Sequence, residues 1–301
     1  MAVLSVLERL SREVLILDGG TGTALQTRGL PAGYPPDLWS VERPKEVRRL
    51  HEAYVEAGAD IIFTNTFGAS RLRLEPHGWG NRVPELNRAA VGLARAAAQG
   101  AALVAGDIGP CGAVTTAFRQ LSRSEARSIF AEQVEALALA GVDLLAIETI
   151  SDLEEMEVAV SGARAVVRDL PILASLTFTR DGKLRSGEGP TAAARALEAM
   201  GVDVVGANCS FGFASLLPIC EEMAAATKLP LAMKPSAGIP PASPPSENEV
   251  TEYARRFVEA GANLVGGCCG VGPSTLRAIA LAVKGIPPVR RSPVASSIPH
   301  A

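Results

Sequence analysis

The sequence predicts one closed (β/α)8, or TIM, barrel, and three observations carry that prediction. A glycine-centred junction recurs along the chain, eight short apolar runs alternate with amphipathic helical stretches, and polar or glycine-rich residues follow most of those runs. A barrel of this kind takes typically about 250 residues, so the 301 present hold one without a second core.

Four times a helical pattern ends in a glycine, then a small apolar residue, then Asp or Asn, then a β-branched or leucine-rich run. These junctions are Gly58-Ala59-Asp60, Gly141-Val142-Asp143, Gly201-Val202-Asp203 and Gly261-Ala262-Asn263. Glycine just past a helix accepts the left-handed C-cap conformation, and a short loop then delivers the chain into a strand. The apolar runs are continuous rather than alternating, as expected of strands covered on both faces. They fall at 14–17, 60–64, 101–105, 144–148, 172–177, 202–207, 229–233 and 263–266. A mean spacing of about 35 residues suits a helix between each pair, which favours the barrel over a doubly wound open sheet with miscounted strands. Ser122 with Glu125, Ser151 with Glu154, and Ser246 with Glu249 have capping-box spacing. Pro44 and Pro273 sit where helices begin and a missing N–H costs little. The barrel is placed at residues 1–285 as a single domain. The proline-rich stretch 236–245 reads as a stiff loop, and 286–301 as a flexible C-terminal tail.

Composition narrows the function. A net charge of −3 removes the electrostatic case for nucleic acid or an anionic membrane surface. Aromatic residues make up 4%, too few to suggest base-stacking platforms. The N-terminus lacks the basic region and unbroken apolar stretch of a signal peptide, and no run approaches the roughly 20 apolar residues of a membrane helix. Five cysteines, an odd number with two adjacent, do not read as a disulfide framework. A cytoplasmic protein using thiols for metal or catalysis is expected instead.

Active sites of such barrels form at the C-terminal ends of the strands. Cys209 follows the sixth strand and Cys268-Cys269 the eighth, with one strand between them. Strand tops two apart are about 10 Å from each other, a gap that inward-leaning side chains close to the ~3.8 Å separating sulfurs on one zinc. Adjacent residues in a regular strand point to opposite faces, but Gly266-Gly267 before the pair and Gly270 after it relax that restriction. Three thiolates leave one tetrahedral position open, the arrangement of a catalytic zinc. The alternatives are a vicinal disulfide or buried structural thiols. Cys111 and Cys220 are read as packing residues. A zinc with three thiolate ligands draws little further charge from an incoming thiol, leaving it a nucleophile suited to attack on a methyl group. His51, His77 and His300 form no His-Glu-x-x-His pattern, so metalloprotease chemistry has no support. Asp18 and Glu148 end the first and fourth strands on the same rim, as acceptors for an α-ammonium group. Alternatively, Asp18 caps its glycine-rich turn and Glu148 pairs with an arginine. The turn Gly19-Gly20-Thr21-Gly22-Thr23 lacks a P-loop lysine and reads as a bend that lets a substrate approach closely.

Asp18-Gly19-Gly20-Thr21-Gly22-Thr23, Thr64-Asn65-Thr66-Phe67, Ile108-Gly109-Pro110, Glu148-Thr149, Ala207-Asn208-Cys209 and Gly266-Gly267-Cys268-Cys269-Gly270 together resemble the homocysteine S-methyltransferase family, over about 14–282. The resemblance implies Zn2+ held by Cys209, Cys268 and Cys269, a homocysteine amino group near Asp18 and Glu148, and methionine as product. Thr23, Asn65 and Asn208, polar residues of the same motifs, are expected as further substrate contacts. The family divides by methyl donor: betaine, S-methylmethionine or S-adenosylmethionine, or methylcobalamin. Gly68 and Thr149 stand where the betaine enzymes carry tyrosines around a quaternary ammonium, which argues against betaine. The run 64–72 is closer to the homocysteine module of cobalamin-dependent methionine synthases. No Asp-x-His-x-x-Gly corrinoid motif is present, so methylcobalamin would arrive on a separate corrinoid protein. Ser236 replaces the Asn of a Pro-Asn-Ala-Gly turn in those synthases. The other readings are the homocysteine-binding subunit of a split methionine synthase without turnover of its own, and a methyltransferase for another thiol or selenol.

Overall fold

The computed structural model describes residues 5–112, 118–238 and 245–289. Eight parallel strands run in chain order: β1 (Leu15–Ile16), β2 (Ile61–Phe63), β3 (Leu103–Ile108), β4 (Leu144–Ile150), β5 (Ile172–Leu176), β6 (Val204–Asn208), β7 (Leu231–Lys234) and β8 (Leu264–Val265). Each pairs with its sequence neighbour, β8 pairs with β1, and a parallel bridge between Leu17 and Ile61 closes the ring. All eight lie where the apolar runs predict them. The largest departure is β3, expected at 101–105, which begins two residues later and ends three later.

Side chains two apart line the same face of a strand, and this sorts the core into two bodies. Leu15, Leu17, Ile61, Phe63, Ala105, Leu144, Ala146, Leu173, Val204, Ala232 and Leu264 fill the lumen, and Val6 and Leu10 of the first helix, Val6–Leu10, join them. Residues of opposite parity, such as Ile16, Ile62, Val104, Leu145 and Val205, meet the surrounding helices.

The recurring junction has a structural role beyond its glycine. Gly58 and Gly141 take φ of 109° and 86°, the left-handed conformation expected after a helix. The acid or amide two residues later then reaches the neighbouring odd-numbered strand. Asp60 accepts from Ile16 N, Asp143 from Val104 N, Asp203 from Ile172 N and Asn263 from Leu231 N, at 2.7–3.0 Å. Arg9, Arg95 and Arg164 clamp the three acids from outside. Four equivalent latches thus join the strands in pairs at the face opposite the cysteines.

Ser122 and Glu125 form the reciprocal capping box of the helix Arg123–Ala140, and the Ser246 side chain accepts from Glu249 N. The third expected pair is displaced by one residue: Asp152, not Ser151, caps the helix Leu153–Val166 and accepts from Glu154 N. Pro44 and Pro273 each open a helix. Residue 286 is tied to the barrel rather than free, because Val14 N donates to Ile286 O at 2.8 Å. Residues 239–244 of the proline-rich loop and 290–301 of the tail, with His300, lie outside the described residues. Among the described residues no helix is long and apolar enough to cross a membrane.

Candidate active site

Strand β6 ends at Asn208, and the backbone then turns left-handed at Cys209 (φ 61°) and Ser210 (φ 47°). Non-glycine residues rarely occupy this region and do so at a cost. With Thr149 (φ 62°), they are three of the four such residues described, all at this end of the barrel. The turn redirects Cys209 while its N donates to Lys234 O at 3.1 Å. On the other side, the Cys268-Cys269 loop is stitched in place through Gly267 N to Asp18 O, Cys268 N to Pro235 O, and Ala237 N to Cys269 O.

Two glycines make the loop possible. Gly270 has φ of 79°, and a Cβ there would lie 1.9 Å from Gly238 O; a Cβ on Gly20 would lie 2.5 Å from Cys268 O. The space around Gly20, expected to admit a substrate, is therefore filled by the protein's own cysteine loop. Thr23 secures the same junction, with Oγ1 accepting from Gly270 N and donating to Gly20 O.

The result is that Cys209, Cys268 and Cys269 present sulfurs all within 4.8 Å of one another, with the Cys209 and Cys269 sulfurs 3.9 Å apart. Hydrogen bonds from Cys268 and Cys269 hold the Cys209 thiol far below its ordinary range. Its proximity pushes Cys268 well up and Cys269 to about 11. Three sulfurs this close cannot all ionise without a cation among them. The Cys209–Cys269 separation matches the ~3.8 Å expected for thiolates on one tetrahedral zinc, and Cys268 lies within reach of both, so the donor set fits Zn2+ with one position left over. Asn208 braces the group. Its Nδ2 donates to Cys268 Sγ at 3.8 Å and to Thr149 Oγ1, while its Oδ1 accepts from Thr149 N and Ser175 Oγ.

Beside the sulfurs lies a buried charged group. A register shift between Ile147 and Ile150 bulges β4 at Glu148 and Thr149, a device that re-aims side chains near active sites. Glu148 Oε2 accepts from Lys234 Nζ at 2.7 Å, so its partner is a lysine from β7 rather than an arginine. The Lys234 ammonium also lies 3.6 Å from the centre of the Phe63 ring. Asp18 is fully buried; its Oδ2 accepts from Phe63 N at 2.7 Å and its Oδ1 has no partner. Burial pushes Asp18 up to about 7 despite the opposing pull of Lys234. Asp107 also belongs to this group and likewise has a buried, unpartnered Oδ1.

Neither Asp107 nor Lys234 is among the residues expected to form the site, although both continue the inward parity of their strands from Ala105 and Ala232. Asn65 turns the other way: its Nδ2 donates to Pro36 O and Ser40 Oγ. Cys220 and Cys111 are buried away from the sulfur group, Cys220 against Phe257 O and Cys111 beside Glu155.

Comparison with known proteins agrees with this geometry. The family described as homocysteine S-methyltransferase matches residues 15–283. The methionine synthases of Mycobacterium tuberculosis and Mycobacterium leprae are each 30% identical, over 93% and 92% of this chain. The chain spans only 25% of the length of these curated relatives. Among solved structures, the oxidized form of the homocysteine methyltransferase MmuM from Escherichia coli superposes with a TM-score of 0.78 at 26% identity, covering 92% of this chain and 98% of that one. Its metallated form gives 0.76 at 27% identity, covering 89% and 96%. The carboxyl transferase domain of Rhizobium etli pyruvate carboxylase, at 15% identity and a TM-score of 0.56, shares the fold alone. Sequence match, barrel and sulfur group concur, and the chain belongs to the homocysteine S-methyltransferase family of enzymes.

Proposed function

We propose that this chain moves a methyl group onto the thiol of homocysteine, giving methionine, with Zn2+ held by Cys209, Cys268 and Cys269. The observation that carries the reading is the convergence of three sulfurs beside buried carboxylates at one mouth of the barrel. Zinc bound there would supply Lewis acidity that lowers the pKa of a substrate thiol, so that it reacts as a thiolate. The protein's own groups do the positioning. Asp18 and Glu148 offer carboxylates to the α-ammonium, Asn208 steadies Cys268, and the apolar lumen beneath keeps water out. The new S–CH3 bond forms as the bond from methyl to donor breaks, its electron pair leaving with the donor. Five cysteines, none of them in a disulfide, suit a reducing compartment such as the cytoplasm.

Two donor routes have support. The likeness to MmuM, a homocysteine methyltransferase, supports direct transfer from a sulfonium donor such as S-methylmethionine or S-adenosylmethionine. The likeness to the mycobacterial methionine synthases supports transfer from methylcobalamin carried by a corrinoid protein. Incubating the reduced, zinc-loaded protein with homocysteine and each donor separates the routes. Methionine from a sulfonium donor supports the first, and methionine from methylcobalamin alone, free or protein-bound, supports the second. No methionine from any donor refutes the reading.

A further inference from the structure

The buried group beside the sulfurs holds three carboxylates, Asp18, Asp107 and Glu148, against one ammonium, Lys234. Lys234 is committed. From β7 it crosses the lumen to Glu148 on β4 and lies over Phe63 on β2. One oxygen of Glu148 is thereby taken before any substrate arrives. Two oxygens are left without a partner, Asp18 Oδ1 and Asp107 Oδ1, on side chains at least nine-tenths buried. A buried carboxylate without a hydrogen-bonded counterpart is costly, so the pair has one cation too few.

Asp107 sits on a backbone held firmly in place. Its backbone is pinned on both sides: the N donates to Thr64 Oγ1 at 3.0 Å, and the carbonyl accepts from Thr66 Oγ1 at 2.7 Å. Both threonines belong to the turn after β2, and their hydroxyls are bonded to each other at 2.6 Å. Burial, and next the charge of Glu148, push Asp107 well above the usual carboxylate range. An arriving cation relieves both.

We propose that Asp107 is a further specificity-determining residue, which with Asp18 receives the primary ammonium of the thiol substrate while Lys234 holds Glu148. The inference rests on the reading that this site takes an amino-acid thiol. It assigns selection for the amine to the unpartnered Asp18–Asp107 oxygens and makes Glu148 a lesser contact.

The test needs no methyl donor. Isothermal titration of the reduced, zinc-loaded protein compares homocysteine with 4-sulfanylbutanoate, the same chain without the amine. The ratio of the two Kd values is read within each variant, so a partly unfolded sample does not distort it. The native protein is expected to prefer homocysteine, and Asp107→Asn to shrink that preference by about tenfold or more, as loss of a charge-assisted hydrogen bond does. Affinity for 4-sulfanylbutanoate should hold or improve. An Asp107→Asn ratio within twofold of the native one, with homocysteine still bound, overturns the inference and leaves the proposed function standing. Failure of the native protein to bind either thiol overturns both.

Discussion

Replacing Lys234 by Met removes the only cation that the described residues give the buried charged group, while keeping an unbranched side chain of similar length. Glu148 is then left as a carboxylate 6% exposed, with Asp18 and Asp107 beside it. Breaking one side of a buried ion pair costs about 3–5 kcal/mol, because the remaining charge is uncompensated. Unfolding entropy near 2.1 cal/mol/K per residue, over 301 residues, amounts to roughly 630 cal/mol/K, so the midpoint should fall by roughly 5–8 °C. The double variant Lys234→Met/Glu148→Gln removes both charges and should recover about 1–3 kcal/mol relative to the sum of the single changes. Thermal unfolding followed by circular dichroism, at fixed pH and with the metal removed from all four proteins, measures the cycle. A single Lys234→Met variant that unfolds within 2 °C of native protein, or a cycle that is strictly additive, would refute the claim that this ion pair holds the site.

Three further outcomes follow from other parts of the molecule. Cys268→Ser should lose both bound metal and activity while its far-ultraviolet spectrum stays native, because the lumen core lies beneath the sulfurs; retention of stoichiometric zinc would remove Cys268 from the ligand set. Asp60→Ala strips the acceptor from Ile16 N and the partner from Arg9 and Lys284. It should cost about 1–3 kcal/mol with homocysteine affinity unchanged, since the latch lies at the face opposite the cysteines. His51 is fully buried with neither ring nitrogen hydrogen-bonded, and burial holds it down at about 4. The unfolded chain therefore takes up a proton near the ordinary pKa of 6.5 that the folded protein refuses until about 4. Stability from this group is full above 6.5 and is lost as the pH falls through that window, by roughly 3 kcal/mol at most. His51→Leu should flatten this part of the acid limb in urea titrations, and an unchanged difference between pH 7 and pH 4 would contradict it.

Much of the molecule is legible in the sequence because barrel architecture is written locally. Gly58-Ala59-Asp60 and its three counterparts mark helix ends and strand starts by residue type alone. The latch made by Asp60, Asp143, Asp203 and Asn263 explains why an acid or amide recurs there, a reason that is invisible until neighbouring strands are in register. Cys209, Cys268 and Cys269 are legible for a similar reason, since strand order in a barrel fixes which strand ends adjoin. Asp107 and Lys234 are not. Gly106 and Asp107 are poor strand formers, so propensity alone ends β3 at residue 105, yet the pleat continues to Ile108. The Lys234–Glu148 pair spans 86 residues of sequence and the full width of the lumen. Nothing in a single sequence ties those two together. Thr23, Asn65 and Asn208 are polar residues on the expected rim, and the protein groups that each of them meets become visible only in three dimensions.

The central claim is that three sulfurs at the mouth of this barrel hold one metal ion and leave a place for a thiol. Elemental analysis of fully reduced protein, exposed to Zn2+ and then freed of excess, tests it most directly. One zinc per chain, falling to none in Cys268→Ser, is the predicted result; native protein that neither carries nor takes up zinc would contradict the account.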